Sequence, residues 1–204
     1  MPHQTKFVAL ALMISMWPFG AIASEARESL IQSLEEIKSM QSFFEQSMGS
    51  SDNSVTGQLL FQRPNLFRME ISPPVSQSIT SDGESLWTYD KDLDQVVVKD
   101  LMNSLAEMPF MKLLSDPRAF LEGKEIVSLS EDEKRFKIAI KENESPIEFV
   151  ELDFTRGLIS RIFIGSRVGA PLEVFFNQMS LLERFSNEEF IFTLPENIDL
   201  IDNR

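Results

Sequence analysis

Residues 55–100 read VTGQLLFQRPNLFRMEISPPVSQSITSDGESLWTYDKDLDQVVVKD, and their periodicity decides the fold. Val55, Gly57, Leu59 and Phe61 fall on one side of an extended chain, with Thr56, Gln58 and Gln62 on the other. Phe67, Met69 and Ile71 form the next apolar row, opposed by Arg68 and Glu70, and Pro73-Pro74 ends it. Residues 75–80, 85–89 and 95–99 read as three further short strands, and Asp82-Gly83 is a hairpin turn between the first two. Short strands and turns at this regular spacing describe an antiparallel meander.

Outward from this stretch the pattern changes twice. On the N-terminal side, Leu30, Ile31, Leu34 and Ile37 recur at helical spacing, with Glu28, Glu35, Glu36 and Lys38 as the polar complement. An amphipathic helix is expected from residue 24 or 25 to about Met40, capped by Ser24. Residues 42–48, with Phe43 and Phe44, read as a strand. On the C-terminal side, residues 101–121 are rich in Leu, Met and Phe, and Pro109 and Pro117 suit the starts of helical turns. One or two short helices are expected there, inserted between two halves of a sheet. Strands then resume at 126–130, 136–141, 147–154, 158–166 and 172–182, with turns at Asn143, Arg156-Gly157 and Val168-Gly169. A last strand is expected at 190–193, before Pro195 and a polar tail. The reading is mainly β, with about ten strands in a single domain spanning residues 24–204.

Residues 1–23 carry the marks of a cleaved secretory signal peptide: Lys6, an apolar run from Phe7 to Trp17, breakers at Pro18 and Gly20, and Ala21-Ile22-Ala23 as an A-x-A site. The run is too short to span a bilayer as a helix. Composition narrows the chemistry. The 204 residues contain one His and no Cys, and cleavage would remove His3. That excludes Cys-ligated metals, thiolate nucleophiles and, in the mature chain, any triad or metal site built on His. No metal site is expected, and no cofactor. Asp92, Asp94, Glu131, Asp132 and Glu133 lie in turn-like polar clusters that read as solvated surface rather than a carboxylate pair for hydrolysis. Calcium-loop, P-loop and dinucleotide motifs are absent. No catalytic residue is nominated. The formal charge of −13 argues against nucleic acid as a partner.

Several strands are apolar on both faces. In 147–154, Ile147 and Phe149 oppose Val150, Leu152 and Phe154; in 158–164, Ile162 and Ile164 oppose Ile159 and Phe163. The chain has 17 Phe against 2 Trp and 1 Tyr, so its interior is rich in aromatic surface with no polar handle. A filled hydrophobic core produces this pattern, and so does an apolar cavity closed by helices. The pattern itself does not choose between them.

Two motifs in fixed order add a resemblance: Arg63-Pro64-Asn65-Leu66-Phe67-Arg68, then Ser81-Asp82-Gly83-Glu84-Ser85-Leu86-Trp87-Thr88-Tyr89-Asp90. With the N-terminal amphipathic helix, the Pro109-Phe110-Met111 and Leu113-Leu114 segment, and Phe190-Ile191-Phe192-Thr193 before Pro195, they strongly resemble the periplasmic outer-membrane lipoprotein carriers, the LolA family. The resemblance implies an open, incomplete antiparallel β-barrel with a helical lid over an apolar cavity. It implies a soluble periplasmic carrier, not an enzyme. Such a carrier, a monomer here, takes acylated lipoproteins from an inner-membrane transporter, LolCDE, and passes them to an outer-membrane receptor, LolB. The receptor shares the fold, but this chain lacks the Cys that lipidation requires. The alternative is a LolA-like lipid or lipoprotein sensor on the same half-barrel.

By the same resemblance Arg63 is the lid latch, bonding backbone carbonyls near Leu34, Leu113 and Leu114. A guanidinium offers five donors and no acceptor, which suits the carbonyls left free at helix ends. Phe67 matches a family phenylalanine near the cavity mouth, with plain core packing as its other reading. Phe61, Met69, Trp87, Phe110, Phe149 and Phe163 are the remaining acyl-cavity candidates. Family members commonly carry Trp where this chain has Met69, and Lys112 is a more polar residue than is usual in the lid.

Overall fold

A computed structural model describes residues 19–49, 54–132, 134–141 and 145–204. The apolar run of the expected signal peptide, Glu133 and the turn at Asn143 lie outside the described residues. The A-x-A site at 21–23 falls inside the first helix, α1 (Phe19–Glu35), which runs through Ser24 instead of being capped by it.

Six strands follow α1: β1 (Ser39–Met48), β2 (Val55–Gln62), β3 (Leu66–Ile71), β4 (Gln77–Asp82), β5 (Ser85–Asp90) and β6 (Gln95–Asp100). Three short helices come next, α2 (Leu101–Leu105), α3 (Pro109–Ser115) and α4 (Pro117–Leu121). The chain closes with β7 (Ile126–Ser128), β8 (Arg135–Ala139), β9 (Ile147–Thr155), β10 (Leu158–Ser166), β11 (Leu172–Leu181) and β12 (Asp199–Asn203). All twelve strands form one open sheet in the order β12-β6-β5-β4-β3-β2-β1-β11-β10-β9-β8-β7. The β1–β11 pairing joins the two halves, and the helices are inserted between them as expected. Every pairing is antiparallel except β12 with β6.

Three boundaries differ from the sequence reading. First, α1 stops at Glu35, five residues before Met40. Ile37 N and Lys38 N turn back to the carbonyls of Leu34 and Glu36, and Met40 enters β1 opposite Phe61, fully buried. Second, residues 101–121 form three helices, not one or two. Asp100 caps α2 by accepting from Asn103 N at 2.9 Å, and Asp116 caps α4 by accepting from Ala119 N at 3.0 Å. Pro109 and Pro117 open α3 and α4 where a missing N–H costs no helix bond. Third, residues 191–193 make no strand. A 3-10 turn at Asn187–Phe190 buries Phe190, and the polar tail supplies β12 instead.

Cross-strand register places the core. Met40, Phe61 and Phe67 are successive partners across β1, β2 and β3, and all three are fully buried. Leu59, Met69 and Ile79 form the adjacent row. The helices cover this face with Leu30, Leu34, Leu101, Leu113, Leu114 and Leu121, each buried in one continuous cluster. Gly57 is required where β2 passes Phe44 and β3: a Cβ there would lie 2.4 Å from Glu70 O and 2.7 Å from Phe44 Cζ.

Candidate functional site

The helical cover is tied to itself and to the sheet by three arginines. Arg63 follows β2, and its Nη2 donates to Leu34 O at 2.8 Å and to Ile37 O at 3.0 Å, where α1 ends. Leu34 O lies in the last turn of α1, where it also accepts from Ile37 N at 3.0 Å, and Ile37 O lies just beyond the helix; both sit at the negative end of the helix dipole, where a cationic donor is favourable. Burial pulls the Arg63 guanidinium below its ordinary pKa, partly offset by the charges of Glu35 and Asp116, and its buried Nε has no acceptor among the described residues. No hydrogen bond from Arg63 to Leu113 or Leu114 is found among the described residues; both leucines are buried and contribute packing. Arg27, on α1, donates to Leu121 O and Lys124 O at the end of α4. Arg118, on α4, grips the Glu35 carboxylate at 2.7 and 3.0 Å and lies 3.7 Å from Glu28. Sequence reasoning did not single out Arg27 or Arg118, because an Arg on a polar helix face carries no local signal of what it meets across the fold.

Between cover and sheet lies a cavity of about 230 Å³. Phe44, Leu59 and Met69 line it from β1–β3, Ile162, Ile164, Val174 and Phe176 from β10–β11, and Met108, Phe110 and Met111 from the cover. Phe110 packs against Phe176 with ring centroids 5.5 Å apart. Gln46 and Glu107 are the only polar side chains among the lining residues.

The aromatic candidates separate into three groups. Met69 and Phe110 line the cavity. Phe61 and Phe67 are fully buried one row deeper and serve as packed core. Trp87, Phe149 and Phe163 belong to the opposite face of the sheet, which corrects their assignment to the cavity. Trp87 stacks on Phe192 of the C-terminal segment at 5.2 Å and donates from Nε1 to Asp82. Phe149 and Phe163 stack at 5.9 Å, on the same side of their strands as Glu151, Asp153 and Arg161. Lys137 Nζ sits 3.5 Å from the Phe149 ring centroid, and the Arg161 guanidinium 5.0 Å from that of Phe163. Strands apolar on both faces therefore report two separate apolar layers: the core and cavity on one side, cation-capped and strap-covered rings on the other. Lys112 is exposed on α3.

An open sheet with a pinned helical cover over a small apolar cavity is the architecture of a protein that binds apolar ligands. No group of three or more metal-ligating side chains is found among the described residues. Residues 35–193 match the family described as outer membrane lipoprotein carrier protein LolA, and the chain belongs to that family. It is 27% identical over 184 residues to the outer-membrane lipoprotein carrier protein of Francisella tularensis subsp. novicida (strain U112), covering 88% of this chain and 89% of that one. It is also 27% identical over 199 residues to the protein of the same name from Pseudomonas entomophila (strain L48), covering 93% and 96%. Among solved structures, an uncharacterized conserved protein from Thermus thermophilus shares the fold, with a TM-score of 0.55, 12% identity, and coverage of 89% of this chain and 99% of that one.

Proposed function

We propose that this protein is a periplasmic carrier and chaperone for acylated lipoproteins. Its cargo's acyl chains enter the cavity beneath the helical cover. Family membership supports the reading, and the observation that carries it is the apolar cavity under a cover whose α1 end is held by one half-buried arginine. At about 230 Å³ the cavity is smaller than the roughly 300–1,000 Å³ typical of small-molecule sites. Admitting an acyl chain therefore requires the cover to move. Arg63 is the latch on that motion, and acyl chains replace cover side chains against Phe44, Met69 and Phe176 when it opens.

In this cycle the protein receives cargo from an inner-membrane transporter of the LolCDE kind and delivers it to an outer-membrane receptor of the LolB kind. It works as a monomer, without cofactor or catalysis, after removal of residues 1–23. Purified protein added to spheroplasts that make lipoproteins should release them into the medium. Absence of release in the presence of a competent transporter would refute the carrier reading.

A further inference from the structure

We propose that Glu107 and Gln46 form a head-group subsite for a free α-ammonium, so that the preferred cargo is a diacylated N-terminus whose α-amine carries no acyl group. The inference rests on the carrier reading. Twelve of the fourteen cavity-lining residues are apolar, and the two that are not stand on different walls. Glu107 lies in the cover, in the turn between α2 and α3, beside the lining residues Met108 and Pro109. Gln46 stands on β1 opposite Val174, another lining residue.

Neither side chain makes a hydrogen bond or ion pair among the described residues. Glu35, Glu70, Glu125, Asp153 and Glu173 bind cations, whereas other exposed carboxylates such as Asp92 and Glu122 also stand unpaired among the described residues; what singles out Glu107 and Gln46 is their place in the wall of the apolar cavity. Glu107 is exposed, so in the empty protein water solvates its carboxylate. That changes once acyl chains fill the cavity. The polar junction of the cargo, with its esters, first peptide group and α-nitrogen, then stops at the rim and displaces that water. A polar group stripped of water there needs a new partner.

The partner's chemistry follows from the groups present. An ionised carboxylate only accepts, so it favours a donor, and a cationic donor most. An α-ammonium offers charge and three N–H groups; an N-acylated α-nitrogen is neutral and offers one. The Gln46 carboxamide both donates and accepts, which suits an ester carbonyl or the first peptide group.

The test uses two diacylglyceryl-cysteinyl peptides with uncharged side chains, fluorescently labelled at the C-terminus, one with a free α-amine and one N-acetylated. Acetylation removes the charge without adding a chain. Fluorescence anisotropy should show the purified protein binding the free-amine peptide about two- to fivefold more tightly, the range of exposed ion pairs. Glu107→Gln should bring the two affinities together, while Asp92→Asn, an exposed carboxylate in the β5–β6 turn, should leave the preference intact. Equal binding by the unaltered protein, or a preference that survives Glu107→Gln, would overturn the head-group assignment alone. Failure of both peptides to bind would refute the carrier reading and the assignment with it.

Discussion

Replacing Arg63 with Leu removes the latch while keeping an apolar stem of similar length. Two hydrogen bonds are lost, at 2.8 and 3.0 Å. Leu34 O keeps a second donor, Ile37 N at 3.0 Å, whereas Ile37 O has no second donor among the described residues. Bonds from a charged donor contribute about 1.5–3 kcal/mol each, and the buried, unpartnered Nε costs about 1–3 kcal/mol in the closed form. The net latch is then about 2 kcal/mol, or roughly 30-fold in the ratio of closed to open cover, since ~1.4 kcal/mol is tenfold. If only the open form admits cargo, apparent affinity scales with the open fraction. Arg63→Leu should therefore bind an acylated peptide up to about 30-fold more tightly and release it correspondingly more slowly. Arg63→Lys, a point donor without the planar fork, should fall between the two. Stopped-flow dissociation of a labelled lipopeptide, with far-UV circular dichroism to confirm folding, is the assay. Unchanged affinity and release rate in a folded Arg63→Leu protein would refute the latch.

Other outcomes follow from burial and charge. Phe61→Ala should lower stability by about 3–5 kcal/mol in urea unfolding, because the ring is fully buried core and not part of the cavity wall. Gly57→Ala should cost at least about 1–3 kcal/mol, since the new Cβ meets backbone at 2.4 Å. Trp87→Phe should leave acyl-peptide affinity unchanged in anisotropy titrations, because Trp87 stacks on Phe192 on the face away from the cavity. Burial pushes the Glu70 carboxyl up, but hydrogen bonds from Lys91, Ser78 and Arg68 outweigh it and hold the group below its ordinary 4.5. A carboxylate lowered on folding stabilises above its unfolded pKa and loses that contribution as pH falls through the folded one. Glu70→Gln should thus flatten the stability-versus-pH curve below about pH 4.5 and leave its slope near neutrality unchanged.

The meander of residues 55–100 was legible because its strands are short, β2 and β3 alternate between apolar and polar residues, and Pro64, Pro73-Pro74, Asp82-Gly83 and the polar stretch 91–94 mark the turns. The helical insertion was legible from Pro109 and Pro117, though its division into three needed the Asp100 and Asp116 caps, which are polar residues with many alternative uses. β12 escaped notice because Asp199, Asp202 and Asn203 look like tail; they form an exposed edge paired on one side only. The site was half legible. Met69 and Phe110 reach the cavity, but alternation alone does not say which face of a two-sided strand is covered by helices, and so Phe149, Phe163 and Trp87 were placed on the wrong side. The carbonyls that Arg63 binds depend on α1 ending at Glu35, a boundary set by tertiary packing of Ile37 and Met40 that local propensity does not encode.

The most direct test of acyl binding under the cover is photocrosslinking of a diacylated peptide carrying a diazirine near the end of one acyl chain, with the labelled residues mapped by mass spectrometry. Adducts should fall on Phe44, Met69, Met108, Phe110, Val174 and Phe176, and free lipopeptide should compete them away. Adducts confined to Trp87, Phe149, Phe163 or Phe175 on the opposite face, or scattered without competition, would contradict it.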